Sequence, residues 1–145
     1  MLPRGAINHL DLTVVDPEAS APFYEAVLGH LGYERVRVAG DDTPMWQHGA
    51  PGQQPFTIAL QRASADGAKR PHDRRAPGLH HLAFHATSRA EVDALHTLLV
   101  ERGERVRDAP AVYPDYAPGY YAVFFSDPDG LKLELVHMPE PPILE

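Results

Sequence analysis

The chain has 145 residues, 43% of them hydrophobic, and carries 20 Asp plus Glu against 13 Lys plus Arg, for a formal charge of −7. That size and composition suit one soluble domain over 1–145, and the acidic balance leaves no electrostatic footprint for nucleic acid or an anionic membrane. With no cysteine there are no disulfides or thiolate ligands, so any metal must be held by His, Asp or Glu.

A small-molecule partner is therefore expected. The opening residues lack the charged and apolar blocks of a signal peptide, and no apolar run approaches the roughly 20 residues that span a bilayer. A cytoplasmic location is the expectation that follows.

The first predicted element is a strand over 7–14, in which Leu10, Leu12 and Val14 share one face while His9, Asp11 and Thr13 share the other. Asp16-Pro17 then offers an N-cap and a proline at the first helical position. Phe23, Val27 and Leu31 form one buried stripe up to Gly32. Pro22 would clash with the carbonyl four residues back in a helix begun at Pro17, so the regular part is predicted to start at Ser20 or Ala21. Strands are predicted at 33–39, 44–48 and 55–61.

Residues 62–78 show no apolar period and are rich in Arg, Lys, Ala and Pro, which marks a linker or flap. Arg62, Lys69, Arg70, Arg74 and Arg75 make it locally basic in an acidic chain. It is either a solvated loop or a flap that attracts a carboxylate or phosphate on a substrate.

The pattern then repeats. A strand over 79–86 sets Leu82, Phe84 and Ala86 against His81, Ala83 and His85. Ser88-Arg-Ala-Glu91 is a capping box, Val92, Leu95, Leu98 and Leu99 make the stripe, and Gly103 is the stop. Strands follow at 104–107, 120–126 and 131–138. The stretch 108–121, with three prolines and four tyrosines, among them Tyr113, Tyr116 and Tyr121, reads as a stiff loop leading into the penultimate strand. Tyr113 and Tyr116 could stack on a flat substrate or simply pin the loop.

The resulting order, βαβββ twice over, predicts an α+β fold of two modules, 6–61 and 79–138. They would form a curved mixed sheet around a central cup, with the helices outside. Laying 56–61 over 131–136 sets Ala59 opposite Glu134. The repeat thus offers four central positions, His9, Ala59, His81 and Glu134, of which three carry metal-binding groups.

A lone strand histidine is usually an ordinary hydrogen-bonded residue, but two at matching positions plus a carboxylate of the same parity point to one divalent ion. Fe, Mn, Ni, Co and Zn all suit such ligands. Trp46 and His48 in the short middle strand, and Gln61 two residues beyond Ala59, are candidate pocket residues. His85 shares the face of His81 and is a candidate acid–base group.

The segments 7–12 with Phe23-Tyr24, 78–84, and 124–135 with its Asp127-Pro-Asp-Gly130 turn resemble the vicinal oxygen chelate superfamily. Glyoxalases, bleomycin-binding proteins, fosfomycin-modifying transferases and extradiol dioxygenases belong to it. The resemblance implies that His9, His81 and Glu134 match its metal positions. The glyoxalase pattern would place at Ala59 a carboxylate that helps move the substrate proton. Here the base would instead be Gln61-bound water, a tyrosinate, with Tyr121 the candidate, or His85.

The expected activity is a glyoxalase-like lyase or isomerase acting on a small molecule that chelates the ion through vicinal oxygens. The alternatives are an extradiol-type dioxygenase or fosfomycin-type transferase, or a metal-independent binder of a small molecule or antibiotic. Relatives pair modules within one chain or between subunits, so a homodimer is compatible with the sequence.

Overall fold

A computed structural model describes residues 4–50 and 52–139. In chain order it contains β1 (His9–Val14), α1 (Pro17–His30), β2 (Glu34–Val38), β3 (Asp41–His48), β4 (Phe56–Arg62) and a 3-10 turn (Gly67–Lys69). The second half contains β5 (Leu82–His85), α2 (Arg89–Glu101), β6 (Val106–Val112), β7 (Tyr121–Ser126) and β8 (Lys132–His137). The architecture is the α+β arrangement of two βαβββ modules that the repeat predicts. The chain divides after Pro71 into two compact units, each with one helix and one four-stranded mixed sheet.

The first sheet has the order β1-β4-β3-β2, with β1 and β4 parallel and the other pairs antiparallel. Helix α1 packs on β2, β3 and β4. It begins at Pro17, not at Ser20 or Ala21, because the Asp16 carboxylate accepts from the Glu18 amide at 3.1 Å and the Asp16 carbonyl from Ser20. Pro22 stands inside this helix on its exposed side. Proline has no N–H to give the Glu18 carbonyl, and on an exposed helix side that loss costs least. The opposite side buries Phe23, Tyr24, Val27 and Leu28.

The second sheet repeats the plan in the order β5-β8-β7-β6, with β5 and β8 parallel. Helix α2 packs on β6, β7 and β8 and buries Val92, Leu95 and Leu99. Each such fully buried aliphatic side chain contributes about 1.5–3 kcal/mol. The Asp127-Pro-Asp-Gly130 turn sets the register of β8. The buried Asp127 carboxylate accepts from the amides of Asp129 and Leu131 at 3.0 and 2.7 Å, and Gly130 takes a positive φ of 90°.

Two strands are longer than predicted. Strand β3 starts at Asp41, because Ala39-Gly40 makes a two-residue turn with Gly40 at φ 78°. A register shift between Val36 and Val38 lets Pro44 sit inside the strand. Strand β6 runs to Val112 and not to residue 107, with Pro110 inside it, because β6 is an edge strand with two register shifts. Among the described residues no helix is long and apolar enough to cross a membrane.

Candidate functional site

The second unit gathers the densest set of candidate groups. In β8, Leu133 and Leu135 alternate with Lys132, Glu134 and Val136. Register pairs Glu134 with Ala83 on β5 and Phe124 on β7, so these three project from one face. The other face meets α2: Tyr121, paired with His137, donates its hydroxyl to Asp93 on the helix at 2.7 Å.

Glu134 is only 2% exposed, and both carboxylate oxygens are engaged. Tyr120 donates its hydroxyl to Oε1, and His81 Nε2 lies 3.3 Å from Oε2. Burial, then the hydrogen bond to and negative charge of Glu134, raise the Tyr120 phenol far above the usual tyrosine range. Tyr120 is therefore a neutral donor at physiological pH. The His81 ring is about one-third exposed, at 35%, and its Nδ1 lies 2.7 Å from Nδ1 of His80. Of that pair one nitrogen donates and the other accepts.

Around Glu134 stands an aromatic wall. The Tyr113 amide donates to the Tyr120 carbonyl at 2.8 Å and closes the loop between them, which brings three tyrosines together. Tyr113 stacks on Tyr116 at 5.6 Å and meets Phe124 edge-on at 5.3 Å. Ala122, Phe124 and Val136 floor this cluster.

Beside it, the Lys132 ammonium sits 4.2 Å from the centre of the Phe124 ring. Burial, then the positive charge of Arg74, lower its pKa from the ordinary lysine value against the pull of Glu134 and Asp108. Arg107 is fixed by donating to the Ser126 hydroxyl at 2.6 Å and to the Gly130 carbonyl at 3.1 Å.

The first unit matches this register with different side chains. Asp11 pairs with Ala59 as Ala83 pairs with Glu134, so Ala59 holds the position that Glu134 holds in the second sheet. Carboxylate and methyl have exchanged strands: in the first sheet the acid is Asp11, on the strand that carries His9. Asp11 accepts from the Gln61 amide at 3.0 Å, and His9 Nδ1 lies 2.8 Å from Asn8 Oδ1. The sequence reading overlooked Asp11 as a functional group, although its parity with His9 was visible.

Trp46 and His48 lie on the other face of this sheet, the one α1 covers. Trp46 pairs with Ile58, is 0% exposed and donates its indole N–H to Glu25 on α1 at 2.8 Å. His48 packs on Tyr33 with ring centres 4.8 Å apart.

Of the predicted site residues, the structure thus brings His81 and Glu134 into contact and sets Tyr113 and Tyr116 in the wall beside them. His85 is exposed on the face of Glu134, paired with Val136. Gln61 and His9 share a face of the first sheet. Tyr121 has its hydroxyl on α2, and the neighbouring Tyr120 holds Glu134 instead. Strand parity with Phe124 would have selected Tyr120 over Tyr121.

Among the described residues no group of three or more His, Asp and Glu side chains is assembled as a metal site. The His81–Glu134 pair nevertheless fits one. Two ligands each about 2.1 Å from an ion, at tetrahedral or octahedral angles, stand roughly 3.0–3.4 Å apart. The observed 3.3 Å lies in that range, and imidazole with carboxylate suits a first-row divalent ion.

Comparison with known proteins gives consistent matches along the chain. The model of the Glyoxalase/Bleomycin resistance protein/Dioxygenase superfamily matches residues 6–135. Uncharacterized protein YqjT of Bacillus subtilis (strain 168) is 35% identical over 136 residues, which cover 90% of this chain and 97% of the relative. A 2-epi-5-epi-valiolone epimerase of Actinomyces sp is 30% identical over 149 residues, covering 92% and 80%. A solved structure from Bacillus halodurans, described as a candidate glyoxalase, superposes with a TM-score of 0.76 at 31% identity, covering 93% of this chain and 97% of that one.

Proposed function

Because the chain belongs to the Glyoxalase/Bleomycin resistance protein/Dioxygenase superfamily, we propose that it is a divalent-metal-dependent enzyme of glyoxalase-like type. It would act as a lyase or isomerase on a small molecule that offers two neighbouring oxygens. The observation that carries this reading is the contact of His81 with the buried carboxylate of Glu134, itself held by Tyr120. His81 and Glu134 would hold the ion. His9 is proposed as the third ligand on its correspondence to His81 in the repeat.

Such an ion supplies a Lewis acid that stabilises negative charge developing on a substrate oxygen. The chain's own residues prepare the surroundings. Tyr120 fixes one oxygen of Glu134 and leaves the other toward His81. The wall of Tyr113, Tyr116 and Phe124 lowers the local dielectric and offers a flat substrate a stacking surface. His85, exposed on this face, is the candidate group for moving a proton.

The epimerase among the relatives favours the isomerase form of this proposal, since inverting a carbon centre requires removing and returning a proton. The test is solvent-deuterium incorporation, followed by NMR, into a panel of 2-hydroxy ketones and 2-oxo acids. We expect incorporation that depends on added metal and is lost in Glu134→Gln. No incorporation across the panel by metal-loaded protein would overturn the lyase or isomerase reading. A cytoplasmic homodimer completes the proposal, and light scattering on the same sample checks the dimer.

A further inference from the structure

Each candidate histidine is preceded by a side chain that touches its ring. In the first unit His9 Nδ1 lies 2.8 Å from Asn8 Oδ1. In the second, His81 Nδ1 lies 2.7 Å from Nδ1 of His80, with the ring centres 4.9 Å apart and the planes at 73°. The two contacts occupy the same place in the repeat. Asp11 and Ala83, the next residues but one after the two histidines, hold matching register positions opposite Ala59 and Glu134. Asn Oδ1 and His Nδ1 are also matched as atoms, because each is bonded directly to Cγ and each can accept a hydrogen bond.

A neutral imidazole carries one proton, and the hydrogen bond made at one nitrogen decides which nitrogen keeps the lone pair. Asn8 Oδ1 can only accept, so His9 holds its proton on Nδ1 and keeps the lone pair on Nε2. The Asn8 carbonyl accepts from the Thr57 amide on β4 at 3.3 Å, which ties its backbone to the sheet.

In His81 it is Nε2 that meets Glu134, 3.3 Å from Oε2. With an ion held by that pair, Nε2 gives its lone pair, Nδ1 keeps the proton, and His80 Nδ1 accepts. Without an ion, Nε2–H donates to Glu134 and His80 donates its own Nδ1–H to His81. The same protons serve both states, so His80 suits either.

We propose that Asn8 and His80 are positioning residues, each accepting from the Nδ1–H of the histidine that follows it and so presenting that histidine's Nε2 to a divalent ion. This rests on the reading of His9 and His81 as ligands and adds which nitrogen each uses and what holds it. Partners that fix the free nitrogen of a ligating histidine strengthen metal binding by orienting the ring and fixing its tautomer.

The test is long-range 1H–15N correlation NMR of the histidine rings in the full-length chain, chelator-treated and zinc-loaded, at about pH 8, where histidine is ordinarily neutral. Zinc affinity is measured beside it by competition with a chromogenic chelator. We expect His9 as the Nδ1–H tautomer in both states and His81 as Nδ1–H in the zinc-loaded protein. Asn8→Ala and His80→Ala should each weaken zinc binding about 10–100-fold, with little change in the melting temperature of the metal-free chain. His80→Asn returns an acceptor to the same place and should bind zinc within about threefold of wild type.

His9 found as Nε2–H in zinc-binding protein would overturn the proposal. So would full zinc affinity in either alanine variant, or His80→Asn binding as weakly as His80→Ala. Wild-type protein that takes up no zinc or other first-row divalent ion overturns instead the metal reading beneath it, and the His9 tautomer in chelator-treated protein tells the two failures apart.

Discussion

His81 Nε2 and the Glu134 carboxylate stand 3.3 Å apart, the imidazole about one-third exposed at 35% and the carboxylate almost wholly buried at 2%. A buried carboxylate is costly unless its lone pairs are satisfied. Here a phenol satisfies one oxygen, and a partly exposed imidazole meets the other.

Removing that phenol should be felt. Tyr120→Phe leaves Oε1 of Glu134 buried without its donor, so a loss of about 1–3 kcal/mol is expected in urea denaturation. Tyr121→Phe is the comparison. Its hydroxyl goes to Asp93 on exposed α2 surface, and the expected loss is under about 1 kcal/mol, with no effect on metal content.

The alkaline limb of stability gives a second reading of the same contact. The Tyr120 pKa is raised in the folded state, so the stabilisation it reflects is fully present below the unfolded value of about 10 and is lost as pH rises above it. Thermal melts between about pH 8 and 11 should show wild-type stability falling more steeply above pH 10 than that of Tyr120→Phe. Parallel curves would exclude Tyr120 as the titrating group.

Trp46 serves the helix layer of the first unit. Trp46→Phe loses the hydrogen bond to Glu25 and some packing against Tyr24, whose ring centre lies 6.2 Å away. A destabilisation of about 1–3 kcal/mol is expected, with unchanged binding of metal and small molecules. Weakened ligand binding in a fully folded Trp46→Phe would show that Trp46 reaches the site.

The helix starts are equally open to measurement. Asp16 caps α1, and Ser88 accepts from Glu91 at the start of α2 while the Glu91 carboxylate accepts from the Thr87 amide at 2.6 Å. Asp16→Ala and Ser88→Ala should each cost about 1 kcal/mol. Asp16→Ala should cost more than Ser88→Ala, because Asp16 also pairs with Arg62.

Much of this was legible in the sequence because strand periodicity is a local property. The repeat, the alternation of His81, Ala83 and His85, and the parity of Glu134 follow from side chains pointing alternately up and down, and register then follows from which faces are apolar. The start of α1 was misjudged because Pro22 was weighed by its clash alone, while the exposure of that side of the helix decides the cost. The end of β6 was missed for a similar reason: Pro110 argues against a strand only where both edges must be paired. Trp46 and His48 are read by parity only once strand β3 is known to lie between β2 and β4. The contact of Tyr120 with Glu134 depends on how the 113–120 loop closes, and no periodic signal carries that.

The most direct measurement is the metal content of wild-type protein purified without chelator, set beside His9→Ala, His81→Ala and Glu134→Gln, with each variant's fold checked by circular dichroism. About one first-row divalent ion per chain in the wild type, falling at least tenfold in each folded variant, is the predicted result. A folded wild-type protein that takes up no stoichiometric Mn, Fe, Co, Ni or Zn, or variants that keep the ion, would contradict a metal centre built on His9, His81 and Glu134.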